Sequence, residues 1–191
     1  MMEESLGFKS VDEFSDYLKG YVDLSSWGVN GAKSPAELYK ELRDGDSGLV
    51  TEKNGLLRLT WPLFVDVSYR NQNVDYSCFE AENKKGKFRN LPGTSAEKRQ
   101  ANEKIDDAIR RTYEEEIVPS FYKSRLSLKD STLNFERDWQ ENTSARSYPG
   151  LQTRSLNTLY LLQVAPNQGL PQPLELVEKN GTSKFDWKVN G

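Results

Sequence analysis

Apolar positions along the chain follow two different periods, and the change between them divides it. Up to residue 46 they recur every three or four residues: Val11, Phe14 and Leu18 in a first segment, Leu38, Tyr39 and Leu42 in a second. That spacing predicts two amphipathic helices. Ser10 caps the first, and Gly20 lies near its stop. Ser34-Pro35-Ala36-Glu37 supplies a cap residue, a proline at the first helical position and a capping-box glutamate, and Gly45 closes the second helix. The turn-rich stretch between them holds Trp27 as an anchor onto the body. From Gly48 onward the pattern is that of strands. Asn54-Gly55 marks a hairpin turn, and the apolar run over 56–67 contains Pro62, which predicts an edge or a bulge there.

A second hairpin is expected around Asn83-Lys84-Lys85-Gly86, between strands at 75–81 and 87–91. Pro119 ends the helix that follows, and 120–139 fits either period. Ser147-Tyr148-Pro149-Gly150 is a tight turn, 155–164 a buried strand, and Asn180-Gly181 a last turn before Phe185 and Trp187. Helices, strands, helix and strands in that order predict an α/β fold, a mixed sheet with helices on its faces. Residues 1–47 are expected to form an N-terminal helical extension packed on a domain of residues 48–191.

The segment 103–116, E-K-I-D-D-A-I-R-R-T-Y-E-E-E, is the one whose charges keep a fixed spacing. Ile105, Ile109, Tyr113 and Ile117 follow one another at i+4 and make an apolar stripe, with Thr112, Glu115 and Glu116 beside it. A carboxylate at the edge of a core is costly unless it is paired or holds a metal. Arg111 precedes Glu115 by one turn, positioned to orient it. A solvated charged face has the same spacing, so the pattern leaves both readings open.

Composition narrows the classes. The chain has 191 residues, 36% of them hydrophobic, enough for one sizeable core. With 26 basic against 29 acidic residues and a formal charge of −3, it is not a general nucleic-acid binder. It has no histidine, which excludes Ser-His-Asp and Cys-His catalysis and any His-containing zinc site within the chain. Cys78 is the single cysteine, so no internal disulfide forms, and it reads as a half-buried structural thiol. No leader or bilayer-length apolar run shows itself; a soluble intracellular protein is expected, cytoplasmic or in an organelle if a transit peptide has been removed.

Glu103, seven residues, Arg111, the bulky Tyr113, then Glu115-Glu116 resemble the Nudix box, Gly-x5-Glu-x7-Arg-Glu-u-x-Glu-Glu-x-Gly-u with u bulky and apolar. Three positions depart from it. Glu97 stands where the box opens with glycine, the counterpart glycine being Gly93 four residues upstream; Thr112 replaces the glutamate after the arginine; Val118 replaces the closing glycine. A threonine is neither a carboxylate ligand nor a general base near neutral pH. The longer pattern W-G-V-N-G-A-K-S-P-A-E-L-Y-K-E-L-R-D-G, then S-A-E-K, then S-Y-P-G-L-Q-T-R resembles a plant and algal branch of Nudix-like proteins, in which the arginine is commonly followed by a residue other than glutamate.

The resemblance implies a Nudix-like α/β/α sandwich over 48–191 and hydrolysis of a nucleoside diphosphate linked to another moiety, with Mg²⁺ or Mn²⁺ as cofactor and a small phosphate compound as partner. It makes Glu115 and Glu116 the metal candidates and Glu115 the catalytic one, with Arg111 and Glu103 as a supporting pair. The general base stays open among Glu97, Glu114, Glu136, Glu141, Glu175 and Glu178. Lys84, Lys85, Lys87, Arg89, Lys98 and Arg99 either steer phosphates or solubilise a hairpin. With one acid missing, the alternative is a catalytically degenerate binding module for a nucleotide, a metabolite or a protein partner. A third reading is a mixed α/β interaction domain unrelated to the family.

Overall fold

A computed structural model describes residues 7–71, 74–82, 95–112, 126–166, 174–178 and 181–189. The elements in chain order are α1 (Val11–Lys19), α2 (Pro35–Arg43), β1 (Gly48–Glu52), β2 (Gly55–Thr60), β3 (Pro62–Asn71), β4 (Val74–Glu82), β5 (Ser95–Lys98), α3 (Ile105–Thr112), β6 (Leu126–Ser144), β7 (Gln152–Pro166), β8 (Leu174–Glu178) and β9 (Gly181–Val189). Helices and a mixed sheet agree with the α/β class expected from the sequence. The residues cluster into two units, the first Met1–Pro62, Lys98–Glu103 and Trp139–Asn157, the second Leu63–Glu97, Lys104–Asp138 and Thr158–Gly191.

In the first unit the caps form as the sequence dictates. Ser10 accepts the Glu13 amide, and Ser34 and Glu37 close a capping box around Pro35. Phe14 and Leu18 of α1 and Leu38 of α2 are fully buried, with Trp27, Leu56, Tyr148 and Leu151 completing one core. β1 and β2 form the expected hairpin, with Glu52 opposite Gly55, and β2 runs parallel to the start of β7, with Leu57 opposite Gln152. Trp27 is the anchor: its Nε1 donates to the Pro149 carbonyl at 2.8 Å, and its ring lies 5.1 Å from that of Tyr148. The Lys33 amide also donates to Ser147 O. The two sequence patterns that flank the body, Trp27–Lys33 and Ser147–Leu151, therefore fold against each other. Gly150 permits this turn, since its φ of 82° is strained for any residue with a side chain.

The second unit holds the sheet order β7-β3-β4-β9-β8, with β5 on β3 and β6 on β7. β3 is parallel to β7, with Leu63 opposite Thr158, whereas β3–β4, β4–β9 and β8–β9 are antiparallel. Val65, Val67, Leu162 and Val164 are buried, and so are Phe64 and Leu159 on the opposite face, as a parallel pair covered on both sides requires. α3 packs through Ala108 and Ile109 on Leu63, with Ile105 and Tyr160 at the margin.

Some elements differ from the sequence expectation. Pro62 marks neither an edge nor a bulge but the first residue of β3, where a missing amide donor is tolerated. The ambiguous stretch 120–139 is strand from Leu126 onward, part of a nineteen-residue β6. The return arm at 87–91 and the hairpin turn before it lie outside the described residues. So does the Cys78 side chain, although Cys78 is on β4 opposite Trp187 of β9.

Candidate functional site

The described part of the acidic segment folds as the helix α3, two residues later than the charge spacing suggested. Residues 100–103 form a turn, in which the Glu103 amide donates to Gln100 O and the Glu103 Oε2 accepts the Gln100 amide at 3.1 Å. The helix then begins, with Asp107 and Ala108 donating to Lys104 O. Asp106 and Asp107 in its first turn and Arg110 and Arg111 in its last match the helix dipole. Glu103 is thus held by a turn of the first unit, and Arg111 is half-buried on the last helical turn in the second. Glu115 and Glu116, the metal candidates, lie outside the described residues, as does Tyr113.

The buried face of α3 is Ala108, Ile109 and Thr112, with Ile105 beside them. A strict i+4 stripe drifts around a helix of 3.6 residues per turn, so a straight helix buries alternating i+3 and i+4 positions instead. Thr112 is consequently a core residue, fully buried, its Oγ1 donating to the Ala108 carbonyl at 2.9 Å. The position where the box carries a glutamate faces packed protein here, and its one donor is spent inside the helix.

Of the open candidates for a base, Glu136 and Glu141 are exposed on β6, and Glu141 accepts the Trp139 Nε1 at 2.9 Å. Glu175 and Glu178 are on β8. Their side chains, those of Glu97 and Glu114, and Lys84, Lys85, Lys87 and Arg89 lie outside the described residues. Among the described residues no group of three or more acidic or cysteine side chains could hold a metal, and no helix is long and apolar enough to cross a membrane.

A dense charge cluster lies in the first unit, around Glu41 of α2. Arg58 Nη2 donates to Glu41 Oε2 at 2.7 Å and Ser47 Oγ to the same atom at 2.8 Å; Lys33 Nζ donates to Oε1, and Lys98 Nζ lies 3.5 Å from it. Glu41 and Arg58 are each only 8% exposed. Burial alone would push the Glu41 carboxyl up; the hydrogen bonds from Lys33 and Arg58, the guanidinium charge and the Ser47 hydroxyl outweigh it and hold the group at about 2. Arg58 also lies 5.0 Å from the centre of the Tyr148 ring. Burial and the nearby Glu41 charge push the Tyr148 phenol well above its ordinary value. This cluster joins α2, β2 and the Ser147–Leu151 turn.

Glu41 is polar, so the hydrophobic periodicity of the chain carries no sign of it. Glu41 stands three residues after Leu38, on the inward face of α2, and Arg58 interrupts the apolar run of β2. A charge at a core-facing position marks each of them as needing a partner, without saying which. Lys98, a candidate for phosphate steering, is here a partner of Glu41.

No family model matches the sequence, and no curated protein does. Among solved structures, an Ap4A hydrolase from C. elegans is 11% identical, with 68% of this chain and 79% of that chain covered, at a TM-score of 0.35. A Nudix hydrolase from M. smegmatis, RenU, is 14% identical, with 74% and 79% covered, at a TM-score of 0.30. These superpositions are loose, and the functional reading rests on the residues.

Proposed function

We propose that the chain is a divergent Nudix-like domain that binds a pyrophosphate-containing compound, such as a nucleoside diphosphate linked to another moiety, and no longer hydrolyses it. The observation that carries this choice over the active hydrolase is Thr112, fully buried with its hydroxyl bonded to Ala108 O. An acid of the box is absent, and its place is part of the core rather than open to a substrate. What supports the Nudix-like reading itself is the sequence spacing of Glu103, Arg111, Glu115 and Glu116, together with a strand, β5, that leads through a short connection into α3. Affiliation with the plant and algal branch belongs to the same reading. It accounts for Thr112 as a trait of a group.

The test is a panel of nucleoside diphosphate derivatives with Mg²⁺ or Mn²⁺, followed both by product chromatography and by thermal shift. A ligand-dependent rise in Tm without product is expected. Metal-dependent turnover that disappears in Glu115→Gln would overturn the reading in favour of an active hydrolase; neither shift nor turnover across the panel would remove both. Thr112→Glu separates the cases further. A carboxylate forced into that core should lower the Tm without creating turnover.

A further inference from the structure

Two lysines of the first unit converge on one oxygen of a buried carboxylate. Lys33 Nζ donates to Glu41 Oε1, and Lys98 Nζ lies 3.5 Å from the same atom. The other oxygen, Oε2, accepts from Arg58 and Ser47, so the carboxylate has a neutralising cation before either lysine is counted. Glu37, one turn earlier on α2, lies near Lys33, but its carboxylate accepts from the Ser34 amide and hydroxyl. The cluster is buried on one side and open on the other. Glu41 and Arg58 are 8% exposed, Lys33 38% and Lys98 46%. An ordinary hydrogen bond on one side and 3.5 Å on the other keep the two ammonium groups within roughly 6.5 Å of each other.

We propose that Lys33 and Lys98 are the two arms of a metal-independent phosphate site, positioned by the buried carboxylate of Glu41. A phosphate that accepts from each ammonium at about 2.8 Å, through two of its oxygens, spans the gap between them. An ammonium has three donors, and Lys33 uses one on Glu41. Two cations side by side match a doubly charged anion better than a single carboxylate, and Arg58 beneath offsets the charge of Glu41 itself. Lysine stems are flexible, so tying both to one buried oxygen lowers the ordering cost of binding. Both also stand on fixed backbone. The Lys33 amide donates to Ser147 O and its carbonyl accepts the Gly28 amide; beside Lys98, the Arg99 amide donates to Trp61 O and the Ala101 amide to Gly45 O. The site uses neither α3 nor a metal, and so is independent of the pyrophosphate reading.

Calorimetric titration with inorganic phosphate tests this, with EDTA present to remove divalent cations and about 0.15 M chloride to screen diffuse attraction. Saturable binding at one site is expected. Lys33→Gln and Lys98→Gln each remove one charge-assisted hydrogen bond and should weaken it about tenfold. Lys98→Arg keeps the charge and should stay within about threefold of wild type. Lys53→Gln, at the exposed turn between β1 and β2, is the control and should change nothing. Circular dichroism reports the fold of each variant, and Lys98→Gln, the more exposed of the two arms, decides the matter if Lys33→Gln disturbs the Glu41 cluster. A parallel titration with ADP identifies the source: tighter binding on the same lysines assigns the phosphate to a nucleotide, weaker binding to the free ion. No saturable binding at phosphate concentrations up to about ten millimolar overturns the proposal. Binding that Lys98→Gln leaves intact, or that Lys53→Gln weakens as much, overturns it too.

Discussion

Replacing Glu41 by glutamine changes one oxygen for one nitrogen at the centre of the cluster that ties α2 to β2, and its cost follows from the geometry. A carboxyl that titrates at about 2 in the folded chain, against 4.5 when free, contributes about 3 kcal/mol of stability at neutral pH. The same substitution leaves Arg58, 8% exposed, without its anion, and breaking a buried pair from one side costs about 3–5 kcal/mol. These are two views of one interaction, so the expected loss for Glu41→Gln at pH 7 is about 3–5 kcal/mol, not their sum. In urea, at a slope of about 2 kcal/mol/M, the midpoint should fall by about 1.5–2.5 M. The pH dependence has a definite sign. Because the folded carboxyl titrates below the unfolded one, the stabilisation is present above about pH 4.5 and is lost as the pH falls towards 2. Wild type and Glu41→Gln should therefore converge in acid, their difference shrinking to about 1 kcal/mol or less near pH 2, as followed by urea titrations at stepped pH. A loss under about 1 kcal/mol at pH 7, or a difference that does not change between pH 7 and 2, would refute the assignment of Glu41 as a buried charged hub.

Two further substitutions probe the frame around it. Ser34→Ala removes the acceptor for the Glu37 amide and half of the capping box, and should cost about 1 kcal/mol in urea unfolding; no change would mean that water replaces the cap. Gly48→Ala places a methyl 3.0 Å from the Trp61 ring, which is itself buried, so it should destabilise by about 1–3 kcal/mol by overpacking, whereas a gain in Tm would show that the indole gives way freely.

Local chemistry made much of the fold legible before any tertiary contact was known. Ser10, Ser34-Pro35 and Glu37 determine where α1 and α2 begin because capping is settled within four residues, and Asn54-Gly55 determines the first hairpin for the same reason. Phe14, Leu18 and Leu38 were readable as core because a helix buries one face wherever it packs. The start of α3 was less legible: Glu103 belongs by charge to the segment, but its carboxylate is used by the Gln100 turn before the helix opens.

What the tertiary structure decided is which distant groups share a site and which of them are covered. No local rule relates Glu41 to Arg58, Ser47 and Lys98, since their proximity arises only when α2 is laid on β2; the sequence showed two charges at core-facing positions but not that they cancel. Trp27 reaches Pro149 across 122 residues by the same kind of closure. Thr112 shows the division most directly. Its identity alone removes an acid from the resemblance to the Nudix box. Only the packing of α3 on Leu63 puts the face it belongs to inside the core, where burial makes any carboxylate costly.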